Sequence, residues 1–141
     1  MALFATLPMS SAHAETEELI IVYRITSADF IAEDQLVLKA EGQGHSKLFG
    51  AFTATATYTE TFIPGACAHA TGDVIISVRG DALYIQEDDT YCGGHVISGT
   101  WQVGGGTGQF SGATGGGTMA GSGSLGFNGR SVIRYTGPLS F

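Results

Sequence analysis

From residue 49 to residue 62 the chain alternates two kinds of side chain. Thr53, Thr55, Thr57, Thr59 and Thr61 take every second position, with Phe52, Ala54, Ala56, Tyr58, Glu60 and Phe62 between them. A repeat of two puts the threonines on one face of an extended strand and the other set on the opposite face. A helix, at about 3.6 residues per turn, would scatter the threonines round its axis. The segment is therefore a long strand with one polar face and one mainly apolar face. A strand of that kind needs a sheet to pair with and a layer to pack against.

The rest of the chain supplies more strands. Residues 19–25, 35–40, 73–79, 82–87, 95–103, 117–125 and 130–140 read as seven further strands, rich in β-branched or small residues. Gly80-Asp81 predicts a tight turn between two of them, and Asn128-Gly129 predicts a hairpin before the last. Residues 27–33 read as a short helical turn, and no other stretch has helical spacing with caps. Eight strands with short connections point to an all-β fold, a single eight-stranded antiparallel up-and-down β-barrel. Closure removes exposed edges and leaves an interior wide enough for side chains or one small ligand. A two-sheet sandwich is the alternative architecture.

Composition restricts function more than it defines it. The 141 residues suffice for one domain, and charged residues are only 13% of them. The formal net charge is −7 with no basic cluster, which makes the chain a poor nucleic-acid binder and disfavours anionic membranes. No apolar run approaches the ~18 residues of a membrane-spanning helix. Residues 1–14 read as the remnant of a signal peptide: an apolar stretch, then the small residues Ala12 and Ala14 at peptidase spacing, then the acidic start at Glu15. The barrel domain is then 15–141, and the expected location is secreted or periplasmic. From Gly99 to Gly129 there are 13 glycines in 31 residues. Gly121 to Gly126 fits a dinucleotide-binding pattern formally, but no helix starts there to hold a pyrophosphate. The glycines read as kinks, bulges and turns, and no cofactor motif is present.

Three segments carry a family resemblance. Gly44-His45-Ser46-Lys47-Leu48-Phe49-Gly50-Ala51-Phe52-Thr53-Ala54-Thr55 resembles the early long strand of bacterial secreted proteins with an allene oxide cyclase-like barrel. Gly105-Gly106-Thr107-Gly108-Gln109-Phe110-Ser111-Gly112-Ala113-Thr114-Gly115-Gly116-Gly117 is similar to their glycine-rich turn, and Arg134-Tyr135-Thr136-Gly137-Pro138-Leu139 is compatible with their closing strand. The resemblance implies a barrel related to allene oxide cyclases and dirigent proteins, which steer ring closure or radical coupling of reactive hydrophobic molecules. It also implies a possible homo-oligomer, a dimer or trimer. The polar pocket residues of the plant cyclases have no counterpart here, since the one asparagine, Asn128, falls in a turn.

The candidate chemistry is sparse. Cys67 and Cys92 are the only cysteines. In an up-and-down barrel the loops holding them lie at the same end, which predicts a disulfide. The alternative is a metal site made by Cys67, His69, Cys92 and His95, a ligand set that zinc accepts. Glu60 and Tyr58 share the apolar face of the Thr-rich strand. If that face lines the barrel they form a candidate acid–base pair, and if Glu60 lies at the rim it is simply solvated. Glu87-Asp88-Asp89 reads as a solvated acidic loop. Arg79 and Arg134 read as exposed, with pairing to an acid or a ligand carboxylate as the alternative. Phe52, Tyr58, Phe62, Tyr23, Trp101 and Tyr84 are the candidate walls for a planar hydrophobic ligand. The expected function is an exported barrel that binds a small hydrophobic molecule in its interior. The alternatives are an isomerase or cyclase using Glu60 and Tyr58, and an interaction barrel filled by its own side chains.

Overall fold

The structure is a computed structural model that describes residues 16–65, 67–93, 95–124 and 126–141. The segment read as a signal peptide lies outside the described residues. Strands β1 (Thr16–Ala32), β2 (Gln35–Ser46), β3 (Gly50–Thr61), β4 (Ala68–Val78), β5 (Asp81–Cys92), β6 (Val96–Gly106), β7 (Thr114–Gly123) and β8 (Arg130–Ser140) follow one another round a closed antiparallel barrel. The seam is made by β1 and β8, in register from Thr16 opposite Pro138 to Arg24 opposite Arg130. Every strand therefore has one face inside and one outside, and period two in the sequence becomes in-or-out in space. On β3 the outward Thr53, Thr55 and Thr57 are exposed and Thr59 and Thr61 half-buried, while Phe52, Ala54, Ala56 and Glu60 are buried.

Several local expectations are corrected. Residues 27–33 form no helical turn. β1 continues to Ala32, and Ser27 to Ala32 pair with β2 after a bulge following Ile25. A backbone with a partner strand alongside gains ladder hydrogen bonds that outweigh local turn preference. The turn between β4 and β5 is Arg79-Gly80 rather than Gly80-Asp81. Both central residues have positive φ, 51° and 88°, the backbone of a tight primed hairpin. Asp81 instead begins β5 and accepts the Gln109 backbone N–H at 3.2 Å. Asn128 does take a left-handed φ of 61°, but it belongs to a six-residue connection, 124–129, not to a two-residue hairpin.

The two ends of the barrel differ. The lower end carries the β2–β3, β4–β5 and β6–β7 connections. It is closed by a cluster of rings: Phe49 packs on Phe52 and Phe110 at 5.5 Å each, and Phe110 on Phe141 at 4.9 Å. The glycine-rich turn has a visible job here. The 3-10 turn Gly108–Phe110 drops Phe110 into the end of the barrel, where it is fully buried. Gly106 lies where a Cβ would run into Phe110 and the Ala82 carbonyl, so only glycine lets that ring seat. The upper end carries the β1–β2, β3–β4, β5–β6 and β7–β8 connections. There Cys67 and Cys92 form a disulfide with Cα atoms 4.6 Å apart, tying the segment after β3 to the end of β5.

Small residues in β4 shape the wall between. Gly72 sits opposite Tyr58 on β3 and Glu87 on β5, and Ala70 sits opposite Glu60 and Asp89. A Cβ at Gly72 would strike the Tyr58 ring. The missing side chain lets the ring lie flat across β4. Gly72→Ala should cost roughly 1–3 kcal/mol by overpacking and move the Tyr58 ring, read as a lower urea midpoint and a changed near-ultraviolet spectrum. Reducing the disulfide, or replacing both cysteines by serine, should lower stability by roughly 3 kcal/mol while leaving the far-ultraviolet β signal intact.

Candidate functional site

β3 and β5 both send acids inward near the upper end. Glu60 on β3 and Glu87 and Asp89 on β5 are all buried. All six Lys and Arg side chains are exposed, so no basic residue faces these acids from within. Two adjacent rows across the sheet organise them. One row runs Glu60, Ala70, Asp89, and the next runs Tyr58, Gly72, Glu87. The small central residues bring the outer pairs towards each other across β4.

Tyrosines surround the acids. Tyr135 on β8 donates to Glu87 Oε1, and Tyr23 on β1 is 2.9 Å from the Tyr135 hydroxyl. Because the Tyr135 proton is engaged by Glu87, Tyr23 is the donor of that second bond. Trp101 stands edge-on to Tyr135 at 6.3 Å and donates its indole N–H to the Thr136 carbonyl at 3.2 Å. Tyr58 meets Tyr23 edge-on at 6.4 Å. Among the described residues, three buried side-chain atoms have no hydrogen-bond partner: Tyr58 Oη, Glu60 Oε2 and Glu87 Oε2.

Burial sets the protonation of this group. Desolvation first, and the nearby Asp89 second, push Glu60 up to about 7. Desolvation pushes Glu87 up to about 7 as well, against the bond from Tyr135, which pulls it down. Desolvation and the adjacent Asp88 push Asp89 up to about 6, with His69 acting in the opposite sense. Burial also raises Tyr23, Tyr58 and Tyr135 well above the usual phenol range, so they remain protonated donors.

A cavity opens among these groups at the upper end. Glu60, Asp89, Tyr23, Tyr58 and Tyr91 line it together with aliphatic side chains and Ser131. Its volume is about 30 Å³, room for one or two water-sized groups. Beyond it stands an apolar lip. Phe30 is paired opposite the inward Leu36, Phe62 lies two residues past Glu60, and their rings are 6.3 Å apart. Phe30 is 69% exposed and Phe62 37%.

The sequence candidates distribute as follows. Glu60 and Tyr58 meet at the cavity, and the solvated-rim reading of Glu60 is corrected: it is 3% exposed. Of the proposed walls, Tyr23 and Tyr58 line the cavity. Trp101 and Phe52 face inward elsewhere, Trp101 in the tyrosine belt and Phe52 in the lower ring cluster. Phe62 is on the lip, and Tyr84 points outward. The acidic loop reading of Glu87-Asp88-Asp89 is wrong, because β5 continues through it and turns two of the three acids inward. The metal reading also fails. Cys67 and Cys92 are joined, His69 Nε2 is 2.8 Å from Asp88 Oδ1 on the outer surface, and no cluster of three ligating residues occurs among the described residues. Arg79 is exposed in its turn, and Arg134 lies 3.6 Å from Glu18 on the surface. Glu87 and Asp89 were the residues sequence reasoning missed. Leu83, Ile85, Glu87, Asp89 and Tyr91 keep period two, and that pattern was the available signal.

The chain matches no known protein-family model, and no curated protein is significantly similar to it.

The raised carboxyl groups make stability pH-dependent. In the folded state they hold their protons more tightly than in the unfolded chain. Their contribution is full below about pH 4 and lost as pH rises through about 6 to 7. The melting temperature should fall from pH 5 to pH 8. Glu60→Gln should reduce that fall by on the order of 5 °C and melt no lower than the parent at pH 8, measured by calorimetry.

Proposed function

We propose that this protein is an exported barrel that binds a small amphiphilic molecule at its upper end. The polar head enters the cavity at Glu60 and Asp89, and the apolar body lies against Phe30 and Phe62. The observation that carries the reading is the unpaired Glu60 Oε2. The atom is buried, Glu60 lines the cavity, and the exposed Phe62 follows two residues on, with Phe30 beside it. An unsatisfied buried polar atom costs free energy that a bound partner group can recover. The cavity volume narrows the expectation from a molecule enclosed by the barrel to a head group held by it. The family resemblance supports the same use of the fold, and it allows a dimer or trimer of such barrels. A disulfide between Cys67 and Cys92 fits an oxidising compartment, which supports secretion or a periplasmic location. No helix among the described residues is long and apolar enough to cross a membrane.

A second reading has one observation behind it. A carboxyl group pushed up to about 7 exchanges its proton readily at neutral pH, which suits acid–base isomerisation of a bound molecule. Tyr58 beside it would supply a hydrogen bond.

The neutral lipophilic probe N-phenyl-1-naphthylamine tests the first reading. Its fluorescence should rise on mixing with the intact protein, with saturation at micromolar concentration. Phe30→Ser combined with Phe62→Ser should weaken binding at least tenfold without lowering the melting temperature. An unchanged probe spectrum would overturn the reading in favour of a filled interaction barrel.

A further inference from the structure

The cavity has a chemical polarity that the proposed function leaves unspecified. Its titratable walls are acids and phenols alone. Glu60 comes from β3 with Tyr58 beside it, Asp89 and Tyr91 from β5, and Tyr23 from β1. Glu87 lies one row deeper with Tyr135. Away from the cavity, Asp88 and His69 sit on the outer faces of β5 and β4, and Glu33 and Asp34 lie beside Phe62 at the β1–β2 turn; all four are exposed. No lysine or arginine faces inward. Glu60 is 3% exposed, and its Oε2 has no partner.

Each ligand class meets these walls differently. An anion would add like charge to carboxyls that already raise one another's proton affinity, which is unfavourable. A neutral head would be satisfied by one protonated carboxyl and would leave the repulsion among the others in place. A cation answers both demands. It pairs with the unpartnered carboxylate oxygen, relieves the mutual repulsion, and is attracted to the faces of the surrounding tyrosine rings. The volume of about 30 Å³ then selects among cations. An ammonium group is about the size of a water molecule and fits. A guanidinium fork or a quaternary ammonium is larger than the space. A metal ion is disfavoured, because no three ligating side chains converge among the described residues.

We propose that the head group taken up at this end is a primary ammonium on an aliphatic chain, with the ammonium between Glu60 and Asp89 and the chain along Phe30 and Phe62. The proposal rests on the reading of the upper end as a binding site. Because the acids must release protons to pair with the cation, uptake should strengthen as pH rises.

Isothermal titration calorimetry of the intact, oxidised protein with n-hexylammonium chloride tests this, with 1-hexanol and sodium hexanoate as chain-matched controls and tetramethylammonium as a size control. Hexylammonium should bind at pH 8 at least tenfold more tightly than any of the three, and at least tenfold more tightly than at pH 5. Titrations near pH 7 in two buffers of different ionisation heat should show proton release to solvent. Glu60→Gln, a neutral isostere, should weaken hexylammonium at pH 8 at least tenfold and reduce the proton release that accompanies its binding. Nα-acetyl-lysine methylamide separates the two sources of such a head: if it binds as well as hexylammonium the source is a lysine side chain, and if it does not the source is a free amine. Hexanol binding as tightly as hexylammonium, or hexylammonium failing to bind while the naphthyl probe binds, would overturn the ammonium assignment and leave the binding site standing. Failure of the probe and of every hexyl compound would overturn both.

Discussion

The pairing of β1 with β8 turns a strip of sheet into a closed wall. Once closed, alternate residues of all eight strands share one interior, and each inward side chain must be fitted against seven other strands. That constraint explains the small residues. Gly72 and Ala70 leave the room that Tyr58, Glu60, Glu87 and Asp89 need. Gly106 leaves the room that Phe110 needs. Two irregularities in the β1–β2 ladder, after Ile25 and after Phe30, accompany the passage of β1 beyond the barrel body. Beyond it the strand still pairs with β2 but stands clear of the packed interior, and Phe30 is presented rather than buried.

The interior is chemically graded. Phenylalanine rings fill the lower end, where burial of apolar surface is the stabilising term. Above them Trp101, Tyr135 and Tyr23 spend their polar atoms on a carbonyl, on Glu87 and on each other. At the top, acids outnumber the partners available to them. The exposed Glu18–Arg134 pair on the outside contributes little, since water screens it. The inward acids have no such screening, and each stays neutral over part of the physiological range because the fold withholds both water and countercharge. The stability of the barrel and the protonation of its upper end are thus one property.

Much of this was legible in the sequence, for a physical reason. Period two records which residues share a face, so the Thr-rich strand puts Tyr58 and Glu60 on the side of Phe52, Ala54 and Ala56, while whether Glu60 is enclosed or solvated at the rim stays open in the sequence. The cysteine pairing follows from an even cysteine count in a chain read as exported, supported by strand direction. What was not legible depended on strand length. Glu87-Asp88-Asp89 looks like a loop because charge normally marks solvent, and only the pairing of β5 with β4 carries the strand through it. Ser27 to Ala32 looks like a turn because its partner lies in 35–39, on the next strand. The depth of Glu60 was equally hidden, since it depends on how far β4 and β5 rise beside β3. Tyr84 alternates with the inward Leu83 and Ile85 and so faces outward, a parity that its aromatic character masks.

The ring cluster at the lower end makes the barrel a cul-de-sac. Phe49, Phe110 and Phe141 leave no thoroughfare along the axis. Under the proposed binding role, whatever enters from above has to back out the way it came, and a second arrival cannot push the first one through. Exchange at such a dead end is governed by departure: one occupant must vacate before the next is admitted, and the residence time of each sets the traffic of all that follow.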